Sequence, residues 1–305
     1  MFDLKGLSQK EIEAMVEILD DPILWVESFL INPDTGEPFV CNYVQRKILG
    51  SKKKKNAVRV HRRGGKTFGL SALGVWFAIT KPGSQVLVIC PDQSKVEAIF
   101  QNIDKFIDIS PALQGVVSKK TNSANPVVRR FRNGSSIHGY TTGARTGTEG
   151  EALRGATADL VIIDEAAYLD ELDWPAIDPI MQGDAKRAGK VISFVSSTPN
   201  AERHRYWEVN SKDQSDIPEH LRWNRIHVPV TENPEYDEAM VAEIQFGCTE
   251  STFKTEWLAE FPDVGEGVYK RSYIDRAQRA FNYYEPSRPD TIPPAIRVMG
   301  VDWDK

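Results

Sequence analysis

A chain of 305 residues with 41% hydrophobic content has enough apolar material for one large core, alone or with a smaller appended domain. Its formal charge of -5 argues against a uniformly basic, nucleic-acid-coating protein. No apolar run approaches the length of a membrane span, and the opening Met1-Phe2-Asp3-Leu4-Lys5 lacks the basic and apolar regions of a signal peptide, so no membrane partner and a cytoplasmic location are expected. Cys41, Cys90 and Cys248 are widely separated and lack ligand spacing, which speaks against a disulfide framework or structural zinc and for buried thiols.

In chain order, residues 8–31 read as helix, with Ser8 placed three residues before Glu11 as a capping box, apolar residues at Ile12, Met15, Val16 and Leu19, and Pro22 interrupting or restarting the run. A turn over 32–38 leads to a short helix within Phe39–Leu49 that carries Gln45. A glutamine ahead of a phosphate loop either reads an adenine edge through its two-sided amide or is an ordinary surface residue. The run Lys52 to Lys55 reads as a solvated loop before a strand at Ala57.

Val60-His61-Arg62-Arg63-Gly64-Gly65-Lys66-Thr67 follows that strand and opens a helix over 66–79. Backbone N–H groups of such a loop close around phosphates while the helix N-terminus adds its positive end. Lys66 then reaches the β- and γ-phosphates and the Thr67 hydroxyl binds Mg²⁺. Compared with G-x-x-x-x-G-K-[ST], the loop has Val60 in place of the first glycine. Read blandly, it is a basic turn that happens to contain Gly-Lys-Thr.

A strand Gln85–Cys90, a helix over 92–107 and strands Val127–Phe131 and Ser136–Tyr140 about an Asn133-Gly134 turn come next. Arg129, Arg130 and Arg132 beside this hairpin either line a DNA channel, contacting phosphates without reading sequence, or are surface arginines. The Gly/Thr-rich stretch Thr141–Gly150 is either a disordered connection or a mobile element that contacts a ligand or a neighbouring subunit.

Leu160-Val161-Ile162-Ile163-Asp164-Glu165 reads as a buried parallel strand that ends in two acids. In the functional reading Asp164 holds Mg²⁺ and Glu165 polarises the attacking water; otherwise the pair caps the next helix. A helix over 169–182 with a break at Pro175 precedes a strand Val191–Ser196 that exits into Ser197-Thr198-Pro199-Asn200. Alternating strands and helices predict an α/β fold with a mostly parallel sheet, helices on both faces and ligands at the carboxyl ends of the strands, where Lys66, Glu165 and Thr198 fall. The expected division is an ATPase core over 1–207, a small lid or linker subdomain over 208–283, and over 284–305 a linker with the first strand of a further domain.

Four stretches together resemble the large terminase subunit of tailed bacteriophages. They are the arginine-containing loop at 60–67, Leu160 to Glu165, Ser196-Ser197-Thr198-Pro199, and Phe253-Lys254-Thr255-Glu256-Trp257-Leu258-Ala259-Glu260-Phe261 running to Gly267-Val268-Tyr269. The resemblance implies a RecA-like P-loop ATPase of the additional-strand catalytic-glutamate class that uses ATP and Mg²⁺. Residues Arg63 to Phe68 would bind the nucleotide, Asp164 would complete the metal site and Glu165 would activate water. Thr198 would belong to the coupling motif and Gln45 would match the adenine-binding glutamine. Arg154, in Leu153-Arg154-Gly155, is similar to the arginine finger that terminases present to a neighbouring subunit; Arg62 or Arg63 acting in cis is the alternative. The implied partners are double-stranded DNA, other copies in a homo-oligomeric ring (a pentamer on the portal), the portal protein and the small terminase subunit, in the host cell cytoplasm. Gly300-Val301-Asp302 is similar to the opening of the RNase H-like nuclease domain, whose remaining acids would lie beyond residue 305. The rival readings are a superfamily 2 helicase-like ATPase and an ATP-regulated DNA-binding scaffold with no need of Glu165.

Overall fold

In a computed structural model of the chain, the structure describes residues 8–122, 126–142, 153–201 and 203–262. All but Pro262 lie within one compact unit, Met1–Phe261. The expected linker and strand onset over 284–305 lie outside the described residues, as does most of the Thr141–Gly150 loop.

The N-terminal helical stretch is two helices. In α1 (Gln9–Asp20), Ser8 accepts from the Glu11 N–H while the Glu11 carboxylate accepts the Ser8 N–H at 2.7 Å, a reciprocal capping box. Pro22 is the first residue of α2 (Pro22–Phe29), where its missing N–H costs nothing, and Asp21 caps that helix. Next come α3 (Tyr43–Leu49), β1 (Lys55–Val60), α4 (Lys66–Thr80), β2 (Gln85–Cys90) and α5 (Gln93–Ile109). They lead to β3 (Val117–Thr121), β4 (Val127–Phe131), β5 (Ser136–Thr141), β6 (Leu160–Asp164), α6 (Trp174–Gln182), β7 (Ile192–Ser197), α7 (Arg205–Ser211), β8 (Asn224–Val228) and α8 (Glu238–Phe246).

Among the described residues, eight strands form one sheet in the order β3-β4-β5-β2-β6-β7-β1-β8. From β5 to β8 every pairing is parallel, and only the β3–β4 and β4–β5 pairs are antiparallel. Side-chain alternation sorts two cores. Val58, Val60, Val86, Val88, Leu160 and Ile162 pack with α2 to α5 on one face, and Ala57, Leu87, Ile89, Val161, Ile163 and Val195 pack with α6 and α7 on the other. The fold is thus the α/β, RecA-like arrangement expected, with β7 inserted between the phosphate-loop strand β1 and the acid strand β6.

Four expectations need correction. Pro175 does not break a helix: it sits in the first turn of α6, after two short turns at Ala166–Tyr168 and Glu171–Asp173, and it is Pro179 that lies inside the helix. The boundary at 207 cuts through α7, and β8 beyond it is the edge strand of the same sheet, paired with β1, so the chain up to Phe261 belongs to the same compact unit. The edge strand β3, whose middle residues Ser118, Lys119 and Lys120 are exposed, was not expected because it has no apolar alternation. Cys41 and Cys90 are buried, but Cys248 is partly exposed. Burial is the first cause that raises both buried thiols, to about 12 for Cys41. No helix among the described residues is long and apolar enough to cross a membrane.

Candidate nucleotide-binding site

The phosphate loop lies between the last residue of β1 and the first of α4. Val60, which stands where a glycine was missing, is fully buried as the end of β1 and faces the core. The turn itself is made further on: Arg63 (φ 63°) and Gly65 (φ 79°) both take left-handed backbone, and Gly65 stands at the N-cap of α4. The loop is seated on the N-terminus of α3, where the Asn42 amide donates to the Gly64 carbonyl at 3.2 Å. A Cβ on Gly65 would meet the Asn42 and Gln45 amide nitrogens, each at 2.9 Å.

The carboxyl ends of β6 and β7 bring the acids and hydroxyls to this loop. Lys66 Nζ lies 3.3 Å from Asp164 Oδ1 and 3.3 Å from Glu165 Oε1. Burial works against the charged ammonium, but Asp164 and Glu165 outweigh it and hold Lys66 above its ordinary value. The Thr67 hydroxyl donates to Asp164 Oδ2 at 2.6 Å, and Ser197 Oγ donates to Glu165 Oε2 at 3.1 Å. Glu165 is itself left-handed (φ 56°) and makes no cap to the following turn, so helix capping does not account for the pair. Instead the strained turn aims Glu165 back over the strand ends. Tyr206, fully buried on α7, places its hydroxyl 2.7 Å from the Ser197 carbonyl and 2.9 Å from that of Val58, joining β7 to β1 just before both reach the site.

These groups open into a cleft of about 860 Å³ lined by residues 61–68 together with Glu165 and Thr198, and also by Pro91, Asp92, Lys95, Asn102, Tyr168 and Glu256. Sequence reading missed this second set. Asp92 and Lys95 follow the carboxyl end of β2, a signal the strand-end rule offers. Ser197, adjacent to Thr198, was hidden by the same strand exit. The segment with Glu256 is far away in sequence. It is fixed by the Arg62 N–H donating to the Glu256 carbonyl at 2.6 Å and by Trp257 stacking on His61. His61 is buried and accepts at Nε2 from Asn233 Nδ2 at 3.0 Å while Nδ1 meets the Arg62 carbonyl at 2.8 Å. Burial is the main cause holding its imidazole below the usual value.

Three sequence-predicted sites stand elsewhere. Gln45 is neither exposed nor in the cleft lining: it is buried, and its Oε1 accepts the Asn42 N–H at 2.9 Å, so one edge of the amide is already used in capping α3. Arg154 is exposed and lines a separate cavity of about 670 Å³ with Thr157, Pro179 and Asp184. Thr157 bonds Gln85, the first residue of β2, at 2.7 Å, so this cavity is at the amino ends of the strands. It therefore stands at the opposite end of the sheet from the phosphate loop of the same chain, which follows the carboxyl end of β1. Arg129 is buried, its Nε and Nη2 donating to the two Asp104 oxygens at 2.8 and 2.7 Å with the guanidinium over the Phe100 ring, so it has no surface to offer DNA. Arg130 and Arg132 are exposed, and Arg132 Nε donates to the Gly115 carbonyl at 2.7 Å.

The site's oxygen donors suit a hard cation. Thr67 Oγ1 and Asp164 Oδ2 are in contact beside the phosphate loop and are the residues that could hold Mg²⁺, an ion that needs only one or two protein oxygens. No cluster of three or more His, Cys, Asp or Glu fit to hold a metal occurs among the described residues.

Fold and site together define a RecA-like P-loop domain with an additional strand between its phosphate loop and its acids. Residues 62–276 match the family described as terminase large subunit, T4likevirus-type, N-terminal, and the chain belongs to that family. A large terminase subunit of Thermus virus P23-45 is 28% identical over 151 residues, covering 46% of this chain and 31% of that protein, so the match spans about a third of that relative's length. Among solved structures, the large terminase ATPase domain of Thermus phage P74-26 is similar with a TM-score of 0.58 and 21% identity, covering 73% of this chain and 95% of that one. The large terminase of the HK97 bacteriophage gives 0.60 and 17%, covering 80% and 55%. The family match favours the terminase expectation over the helicase one.

Proposed function

We propose that this chain is the ATP-hydrolysing part of a motor that moves double-stranded viral DNA into a procapsid. The observation that carries the reading is the constellation of Lys66, Thr67, Asp164 and Glu165 at the strand ends of a chain that belongs to the terminase family. In this reading the backbone N–H groups of residues 63–67 and the Lys66 ammonium bind the phosphates. Thr67 and Asp164 would hold a magnesium ion, which when bound neutralises charge between the β- and γ-phosphates. Glu165 accepts a proton from the water that attacks the γ-phosphorus while Ser197 holds its other oxygen, and Thr198 borders the γ-phosphate side.

A finger arginine stabilises the charge of the transferring phosphoryl group. The location of Arg154 supports its acting on a neighbouring copy, in a homo-oligomeric ring, while Arg62 and Arg63 are the candidates in cis. Contacts with DNA, with a portal protein and with a small terminase subunit in the host cytoplasm follow from family membership as part of the same proposal.

The test is ATP hydrolysis by Arg154→Ala and Glu165→Ala variants, alone and mixed, at concentrations that favour assembly. Each alone should lose about 10²-fold or more. Activity regained on mixing supports a finger in trans; a fully active Glu165→Ala variant would overturn the hydrolytic reading.

A further inference from the structure

His61 borders the cleft but takes no part in the chemistry above. It ties the phosphate loop to the rest of the unit. Its N–H donates to the Val228 carbonyl at the end of β8 at 3.0 Å, and its own carbonyl accepts the Gly64 N–H at 3.3 Å. The ring packs T-shaped against Tyr236 and stacks on Trp257, with centroids 5.3 and 6.4 Å apart. The hydrogen bonds around it admit one protonation state. Asn233, itself 1% exposed, accepts the Glu235 N–H on Oδ1 at 3.1 Å, so Nδ2 is the atom it turns to His61 Nε2 at 3.0 Å. An amide nitrogen only donates, which leaves Nε2 an acceptor and puts the ring proton on Nδ1, where it meets the Arg62 carbonyl at 2.8 Å. That bond fixes the peptide leading into the left-handed Arg63 and occupies a carbonyl oxygen that would otherwise repel phosphate. A second proton, on Nε2, would set one donor against another, and turning the Asn233 amide over would only move the conflict to the Glu235 N–H.

We propose that His61 is a positioning residue of the phosphate loop: its neutral ring, held by Asn233, keeps the Arg62–Arg63 peptide in the form that receives nucleotide, and protonation of the ring breaks the hold and weakens nucleotide binding. The titratable and charged groups on the segments packed around the ring are Arg62 and Lys66 on its own loop, Glu235 and Tyr236 beyond Asn233, and Glu256 beside Trp257. Burial outweighs the attraction of Glu235 and holds the ring below its ordinary 6.5. With a lowered folded value, the contribution of the neutral ring is complete above 6.5 and is lost as pH falls from there through the folded value. The inference rests on the phosphate-loop reading above.

The experiment is calorimetric titration of the 305-residue chain with ADP from about pH 8 to about pH 5, set against its His61→Gln form at each pH so that the titration of the ADP phosphates cancels. The glutamine amide offers an acceptor and a donor, and neither gains a proton. Wild-type affinity should fall about three- to tenfold relative to that form on acidification, the loss of one hydrogen bond. Asn233→Asp replaces the donor with an acceptor, favours the doubly protonated ring and should reverse the trend relative to wild type, which carries the same test should His61→Gln not fold. No fall relative to His61→Gln, or a profile shared by wild type and Asn233→Asp, would overturn the proposal. So would wild-type affinity that rises at acid pH relative to His61→Gln, the mark of an imidazolium that touches phosphate directly. A Lys66→Ala variant with wild-type affinity at about pH 8 would instead overturn the phosphate-loop reading, and this inference with it.

Discussion

Arg129 separates a structural arginine from a DNA-binding one, and the difference is measurable. The guanidinium is 3% exposed and makes two charge-assisted bonds to Asp104 and two more to the Thr121 and Val128 carbonyls, at 3.2 and 3.0 Å. Breaking a buried pair by removing one partner costs about 3–5 kcal/mol because the remaining charge is stranded. Asp104 is 25% exposed and keeps Lys120 at 3.1 Å, so part of that penalty is relieved. Arg129→Ala should therefore cost about 2–4 kcal/mol, or roughly 4–12 °C in melting temperature for a unit of this size. Pairing Arg129→Met with Asp104→Leu should recover much of the loss, since no charge is left buried.

The pH dependence gives a second reading of the same pair. Burial raises the Asp104 carboxyl, but bonds from Arg129 and Lys120 outweigh it and hold the group below its ordinary 3.8. A depressed folded value means that the stabilisation is complete above 3.8 and is lost as pH falls through the folded value. The stability gap between wild type and Arg129→Met, followed by urea unfolding, should accordingly close below about pH 4. A variant that melts with wild type at neutral pH while losing DNA affinity would refute the reasoning. On the expectation that this hairpin lines a DNA channel, Arg129 drops out, so the Arg130 and Arg132 double substitution should lower the salt slope of DNA binding by about two units while Arg129→Met leaves it unchanged; an unchanged slope in the double variant would remove the expectation.

Gly139→Ala should cost about 1–3 kcal/mol by overpacking, because its Cβ would lie 2.4 Å from Phe100 and 2.6 Å from Val96 on α5; chemical denaturation reads this directly. Gly65→Ala adds left-handed strain to a clash with the Asn42 and Gln45 amides, whereas Gly36→Ala has the strain alone, with nothing within 4 Å. Both should lose about 1–2 kcal/mol of stability, but only Gly65→Ala should weaken nucleotide binding in a titration with ADP. Ser197→Ala removes a hydrogen bond to a carboxylate and should lower kcat about tenfold or more with nucleotide affinity unchanged, as steady-state kinetics would show.

The parts of the fold that could be read in the sequence are those in which one local rule decides. Leu160–Ile163 announced a buried strand because both of its faces are covered, and the Ser8–Glu11 box fixed the start of α1 because its partners lie three residues apart. Pro175 misled because the same ring that breaks a helix interior suits a first turn, and only the preceding backbone distinguishes the two. The strand β8 (Asn224–Val228) was missed because at the sheet edge it buries only Ile226 and Val228. Arg129 illustrates the limit more sharply: its neighbours in sequence read as a basic patch, while its fate was set by Asp104, 25 residues away on α5. Glu256 is a further case of the same kind, brought to the phosphate loop by contacts 194 residues apart.

The site in its present form is satisfied from within, and that has consequences for turnover. Lys66 is compensated by Asp164 and Glu165, Thr67 by Asp164, and Glu165 by Ser197, so no buried charge waits unpaired. In the proposed reading, a triphosphate must take Lys66 over from the two acids, because the phosphates and the carboxylates compete for the same ammonium. Glu165 then loses one oxygen's partner but keeps Ser197 on the other, so it stays oriented at the moment it becomes free to receive a proton. Ser197 is in turn anchored by its carbonyl to Tyr206, which also reaches Val58 on the strand that feeds the phosphate loop. The base and the loop therefore share one buried hydroxyl, and a shift of β7 relative to β1 would be felt at both.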